Sequence, residues 1–263
     1  MRLTDRDIQI LLKVHECGWL STSQIKRYFF DHATPRAVNK RLQVLTEGKY
    51  LYNERISLTN EYFFRLGSQG KQALADQAEL DVENIHIPRQ LPIQLKHFST
   101  INDLRWHFEQ SLERLNGTLD FFFTDRELKG LLGDSKIIPD ALLDFKLNQA
   151  DQMRQFIVAL EYDAGTENPQ YFGRDKVKKY ADEVAGERGI FGTAELRVAV
   201  FADTRNRVVQ LIRYSMQFLP KGRRFLFVSL EDLDGNTDIG DRIFIDPRSA
   251  SSNGQVDLCS LIE

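Results

Sequence analysis

The chain has 263 residues, of which 42% are apolar and 28% charged, and its formal net charge is −3. That is the make-up of an ordinary globular protein with room for two domains or one large one, and it excludes a uniformly basic nucleic-acid coat, so any surface for DNA or RNA must be local. Cys17 and Cys259 lie far apart and match no metal spacing, no apolar run approaches the ~18–20 residues of a membrane span, and the start, Leu3-Thr4-Asp5-Arg6-Asp7, reads as a helix cap rather than a signal peptide; together these predict a cytoplasmic protein with no membrane partner.

Thr4 or Asp5 caps a first helix, with Ile8, Leu11, Leu12 and His15 at i, i+3, i+4, i+7 and Gly18 as its end. Ser21 and Gln24 have the spacing of a capping box and open a second helix through Tyr28-Phe29. Thr34-Pro35 opens a third, Thr at the N-cap and Pro where its missing N–H costs nothing; it runs to about Leu45 and stops at Gly48. Two strand-like runs follow, Lys49 to Ile56 and Glu61 to Leu66, joined by a turn at Ser57-Leu58-Thr59-Asn60, and then a helix over about Ser68 to Ala78. Three helices, a two-stranded hairpin and a trailing helix predict an N-terminal winged helix-turn-helix domain over residues 1–80. Residues 81–94, with Pro88 and Pro92 and few periodic apolar residues, read as a linker.

On the third helix Val38, Leu42 and Leu45 form one stripe, while Arg36, Asn39, Lys40 and Gln43 form the opposite one at offsets 0, 3, 4 and 7. An exposed face of two cations and two amides suits major-groove readout, since Arg pairs with guanine and Asn or Gln with adenine in bidentate fashion. Arg55, near the hairpin tip, is placed to reach a phosphate or the minor groove. Residues 1–70 hold eleven Lys/Arg against seven Asp/Glu, although the whole chain is acidic. The competing reading is that this stripe is merely a solvated helix face.

The second domain is expected over residues 95–263. Phe98, Ile101, Leu104, Phe108 and Leu112 give its first helix, and Leu119 to Phe123 a strand. A loop containing Gly130, Gly133 and Asp134 leads to strands at 137–146 and 155–162, a helix over about Gln170 to Ala185, a strand at Leu196 to Phe201, a helix at Val208 to Phe218 and a strand at Arg224 to Leu230. The order βββαβαβ predicts an α/β sheet covered by helices. The tail from Glu231, acidic and then rich in Ser, Asn and Gly, is expected to be partly mobile.

Two acids stand out. Asp140 in Ile137-Ile138-Pro139-Asp140-Ala141 and Glu161 in Ala159-Leu160-Glu161-Tyr162-Asp163 each end an apolar, β-branched run. Adjacent strands would bring them to one sheet edge, where Mg²⁺ held by one or two carboxylates and waters activates water for phosphodiester hydrolysis. Asp163 shares a strand face with Glu161 by the period of two, and a nearby Lys would stabilise charge on the phosphate. The competing reading is that Asp140 caps a turn while Glu161 and Asp163 pair with Lys176 or Arg174. Gly165-Thr166 lacks the glycines and Lys of a P-loop, and the five His and two Cys supply neither a nucleophilic triad nor a zinc set.

Pro139-Asp140 with Glu161-Tyr162-Asp163 resembles the PD-(D/E)xK nuclease superfamily, departing from it where Asp163 replaces the expected Lys. Lys176, from the following helix, is a substitute that the resemblance allows, and Lys146 a weaker one. From about residue 3 to 215 the chain also resembles the replication-relaxation family. That likeness rests on Leu3-Thr4-Asp5-Arg6-Asp7-Ile8, Arg41-Leu42-Gln43-Val44-Leu45, Leu95-Lys96-His97-Phe98 with Asn102-Asp103, Pro139-Asp140-Ala141, and most of all on Glu161-Tyr162-Asp163-Ala164-Gly165-Thr166-Glu167 with Lys176 and Tyr180 behind it. It implies a winged helix followed by a restriction-endonuclease-like α/β domain, and a role in plasmid replication, relaxation, mobilisation or their control.

The expected function is therefore sequence-specific binding of double-stranded DNA in a mobile element, through Arg36, Asn39, Lys40, Gln43 and Arg55, with a homodimer on a pseudo-palindromic site. One alternative is an active Mg²⁺-dependent endonuclease with Asp140 and Glu161 as metal ligands and Asp163 and Lys176 as further catalytic residues. Another is a scaffold for replication or transfer proteins. His97, Glu109 and Glu113 are lesser candidates, each explained equally by packing or a solvated helix face.

Overall fold

The computed structural model describes all residues except 1, 31, 58–60, 78–80, 133–136, 150–151, 186–195, 221–224, 234–236, 249–254 and 260–263. The predicted turn residues Leu58, Thr59 and Asn60, together with Ala78, Gly133, Asp134 and Arg224, lie outside the described residues. The chain divides into two compact units, Met1–Asp103 and Leu104–Glu263, and the division falls inside a helix, beyond the segment read as a linker.

The first unit contains α1 (Asp5–Cys17), β1 (Leu20–Ser21), α2 (Thr22–Phe29), α3 (Pro35–Glu47), β2 (Leu51–Ile56), β3 (Glu61–Leu66) and α4 (Ser68–Gln77). The caps read from the sequence form. Thr4 and Asp7 make a capping box at α1, Ser21 and Gln24 make one at α2, and Thr34 caps α3 with Pro35 in the first turn. The buried stripe of α1 is rotated from the expected one. It consists of Ile10, Leu11, Val14 and Cys17, whereas Ile8, Leu12 and His15 are only half-buried. Ile10, Leu11, Val14, Leu42, Leu45, Leu66 and Leu74 close a single core. The strands form a three-stranded antiparallel sheet in the order β1-β3-β2. β1 was not foreseen, because two residues are too short to carry a period.

Two polar devices tie this unit together. Asp7, 1% exposed, receives Arg41 Nε at 2.7 Å and the Arg41 guanidinium on its second oxygen, while Thr4 N donates to it at 2.7 Å. Burial raises the Asp7 pKa, but the bonds from Arg41 and Thr4 outweigh it and hold the carboxyl below its usual range. Gln24, besides closing its capping box, donates from Nε2 to Ser99 O and Asp103 Oδ1, both at 3.0 Å. The segment read as a linker contains a short 3-10 turn at Val82–Asn84. Ile85 is buried in the first core, and the Trp19 indole donates to Gln90 O at 3.2 Å.

α5 (Leu95–Arg114) contains the unit boundary. The second unit continues with β4 (Thr118–Thr124), α6 (Asp125–Leu132), β5 (Ala141–Gln149), β6 (Gln152–Asp163), α7 (Pro169–Tyr171), a π-helical segment (Phe172–Val177), α8 (Lys178–Ala185), β7 (Leu196–Ala202), α9 (Arg205–Ser215), β8 (Phe225–Ser229), β9 (Phe244–Ile245) and β10 (Gln255–Val256). Seven strands form one mixed sheet in the order β10-β9-β8-β7-β6-β5-β4, in which β6, β7 and β8 run parallel and the other neighbours antiparallel. One face carries Leu142, Ala159, Val198, Val200 and Phe227 against Phe172, Val177, Tyr180, Val208 and Leu211 from the helices. On the other, Phe108 of α5 contacts Phe145 and Phe201. Both faces are covered, so the central strands read as continuous apolar runs.

The stretch around Gly130 is the helix α6 rather than loop, capped by Glu127, which accepts from Thr124 N at 2.8 Å. Within the tail, expected to be partly mobile, the described residues include anchors to the sheet. β9 and β10 extend the sheet, Ile239, Phe244 and Leu258 are 0–1% exposed, and Arg197 donates to Leu258 O. Its polar composition hid these few anchors, which become apolar contacts only once the sheet edge is built.

Replacing Arg41 with Ala leaves Asp7 buried without its cation, and is expected to cost about 3 kcal/mol in denaturant unfolding at pH 7. Because the native Asp7 pKa is depressed, the stabilisation is present above the unfolded pKa, ~4, and is lost as pH falls through the native value. Acid titration of stability should therefore be flatter in the variant than in the wild type.

Candidate functional site

β5 and β6 are antiparallel in the register Ala141↔Leu160, so one step further places Asp140 opposite Glu161 at the same end of the ladder. Asp140 Oδ2 accepts the Tyr162 backbone N–H at 2.8 Å, which ties the acid to the neighbouring strand. Asp140 is half-buried at the end of the Pro139 turn, while Glu161 is 1% exposed. The alternation of β6 points Glu161 to the same face as Ala159, toward the layer of α7, the π-helical segment, α8 and α9.

That helical layer supplies the partners of Glu161. Lys176 Nζ lies 2.6 Å from Oε2, and Tyr180 Oη donates to Oε1 at 2.7 Å. Lys176 and Tyr180 are four residues apart and therefore on one helix face. Lys176 sits in the π-helical segment, a geometry that is rare and is often found at functional sites. Gly173 lets this segment close on α9, because a Cβ there would stand 2.3 Å from the Tyr214 carbonyl oxygen. The side chain of Lys176 is 37% exposed, while the carboxylate it meets is buried.

The charges are coupled. Burial, and after it the Asp140 carboxylate, pushes the Glu161 pKa up to about 7 against the opposing pull of Lys176 and Tyr180. Burial alone would lower the Lys176 pKa, but Glu161 and Asp140 outweigh it and keep the ammonium charged. Burial and the Glu161 carboxylate raise the Tyr180 pKa well above its ordinary value, so the phenol is a fixed donor. Burial and the neighbouring acid thus work against ionisation of Glu161, while Lys176 and Tyr180 work for it.

Asp163 is not joined to this cluster. Arg207 of α9 holds both of its oxygens, at 2.7 and 2.9 Å, and the Gly165 N–H donates to it at 2.8 Å. Arg207 also donates to Glu167 O at 2.5 Å, pinning the turn after β6, where Gly165 has φ +75°. The negative charge that Asp163 adds where a Lys was expected is thus neutralised locally. Arg174 pairs with Asp175 at 3.1 Å and Lys146 with Asp120 at 2.5 Å. Glu109 pairs with Arg105 at 2.9 Å, Glu113 accepts from Gln110 at 3.3 Å, and His97 lies in the first unit. Arg207 went unnoticed in the sequence because its partner is 44 positions away and no local pattern announces it. Among the described residues no group of three or more His, Cys, Asp or Glu is arranged to hold a metal ion.

In the first unit, Arg36, Asn39, Lys40 and Gln43 are all exposed on α3, opposite buried Val38, Leu42 and Leu45. Gln43 donates to Glu47 at 2.8 Å. Arg55 is exposed and lies over the Tyr62 ring, 5.8 Å from its centroid. Arg41, in the same helix, turns inward to Asp7.

Comparison with known proteins adds a family. The model of the replication-relaxation family matches residues 11–195, more than half of the chain. No curated protein and no solved structure matches. Among the described residues no helix is long and apolar enough to cross a membrane.

Arg207→Ala should destabilise the fold by about 3–5 kcal/mol, since it strands a buried carboxylate, and adding Asp163→Asn should recover part of that loss. Denaturant unfolding of the two single variants and the double variant measures the coupling.

Proposed function

The chain belongs to the replication-relaxation family, and on that premise we propose that it binds double-stranded DNA in plasmid replication or mobilisation and cleaves a strand with a Mg²⁺-dependent centre in its second unit. One observation carries the cleavage reading: Asp140 and Glu161 stand opposite each other at adjacent strand ends, with Lys176 on Glu161. The strand-end acids and the helix-borne Lys support a restriction-endonuclease-like unit in which the cation missing at position 163 comes from Lys176. The helices, the β2–β3 hairpin and the exposed stripe of α3 support a winged helix-turn-helix in the first unit.

The donor set fits a hard divalent cation, which takes one or two carboxylates and keeps several waters. Asp140 and Glu161 would hold it, and when bound it would polarise a phosphate and activate water. The ammonium of Lys176, charged and reaching solvent, would meet the negative charge that develops on the phosphate. Asp140 is kept in place by the Tyr162 N–H, so its carboxylate is oriented before any substrate arrives. Asp163 serves in this reading as an anchor of the turn through Arg207 rather than as a ligand.

DNA binding without cleavage is favoured by a different observation: both oxygens of Glu161 already have donors from the chain itself, as in a structural ion pair. Supercoiled plasmid incubated with Mg²⁺, Mn²⁺ or chelator separates the two readings. Metal-dependent nicking that Asp140→Ala and Glu161→Ala both lose is the expected outcome; retained DNA binding with no nicking by the wild type would leave a binding protein. Arg36→Ala with Lys40→Ala should weaken binding and flatten its salt dependence by roughly 0.9 per lost phosphate contact, as read by gel shift across a salt series.

A further inference from the structure

Resting on the reading of Asp140 and Glu161 as the ion-holding pair, we infer that Tyr180 is a positioning residue of that centre, its hydroxyl fixing the Glu161 carboxylate in the orientation that an ion requires. Tyr180 is 1% exposed, and its ring packs edge-on to Phe225 of β8, with centroids 5.9 Å apart and planes at 80°. Packing therefore fixes the ring independently of the hydroxyl. The hydroxyl spends its one proton on Glu161 Oε1 at 2.7 Å. Oε2 is left to Lys176, whose side chain is part-exposed, and to whatever cation stands beside Asp140.

The two donors on Glu161 thus differ in kind. Lys176 is charged, part-exposed and on a flexible stem, and can be drawn toward a phosphate. Tyr180 is neutral, rigid and inside the core, and stays. A buried glutamate with only the mobile donor would be free to turn about its terminal torsion when Lys176 leaves. Outer donors of this sort orient metal-bound carboxylates, and their loss commonly costs 10–100-fold in metal affinity.

The test is Tyr180→Phe in the full-length protein, which removes one oxygen and keeps the packing on Phe225. Mn²⁺ binding is measured by electron paramagnetic resonance or calorimetry, beside thermal unfolding and plasmid nicking across a Mn²⁺ series. The expected result is a Mn²⁺ Kd raised at least about tenfold, with a thermal midpoint close to that of the wild type and a nicking rate restored at saturating Mn²⁺. A Mn²⁺ Kd equal to that of the wild type overturns the inference, and so does a nicking defect that saturating Mn²⁺ fails to restore. If the wild type itself neither binds Mn²⁺ nor nicks, the reading of the centre falls and the inference falls with it. Should Phe disturb folding, Lys176→Met provides the second comparison. It should slow nicking at saturating Mn²⁺ while leaving Mn²⁺ binding no weaker than in the wild type, and equal losses of affinity in the two variants would remove the distinction between the fixed donor and the mobile one.

Discussion

A carboxylate buried in a β-sheet is costly unless its oxygens are met by donors, and the second unit is organised around one that is. Glu161 is almost fully enclosed on β6, with Lys176 and Tyr180 reaching it from the same helix face. This contact fixes the rotation of the helix against the sheet, since both side chains must arrive at one carboxylate. It also accounts for the tight approach at Gly173, where the π-helical segment meets α9 without room for a Cβ. Asp140, just before β5, completes the arrangement by accepting from the Tyr162 N–H.

A second buried acid on the same strand is treated differently. Asp163 lies two residues on, faces the same helical layer, and receives a bidentate guanidinium from Arg207. An Arg fork satisfies a carboxylate in full geometry, whereas an ammonium and a phenol leave lone pairs open. So two neighbouring acids of similar burial have different chemical prospects, decided by their partners rather than by their own sequence context. Glu161 is met by an ammonium and a phenol; Asp163 anchors a turn. In the first unit, Asp7 follows the logic of Asp163, with Arg41 tying the start of α1 to α3.

Much of the local architecture was legible along the chain. The cap at Thr4, read as Thr4 or Asp5, the capping box at Ser21 and the Thr34-Pro35 start form from residues three apart, so sequence spacing contains the whole interaction. The inward stripe of α3 was equally plain, because a helix with three large apolar residues on one side has only one way to dry them. The stripe of α1 was misjudged, since apolar residues occur nearly all round that helix and the choice among them is made by what α4 and β3 present to it. β1, β9 and β10, two residues each, exist only because a neighbouring strand edge offers bonds.

By itself, the sequence determined most of the longer helices and strands, the placing of Asp140 and Glu161 on neighbouring strand runs, and the exposed polar face of α3, since each follows from periodicity or from residues close in the chain. Only the tertiary structure decided that Asp140 reaches across to the strand carrying Glu161, that Lys176 turns inward while Arg174 and Lys146 find other partners, and that Asp163 belongs to Arg207. The physical reason is one of range. A cap or an amphipathic stripe is an energy between near neighbours, whereas the partner of a buried charge is chosen among all groups that packing brings within a few ångströms, and that choice is written nowhere along the chain.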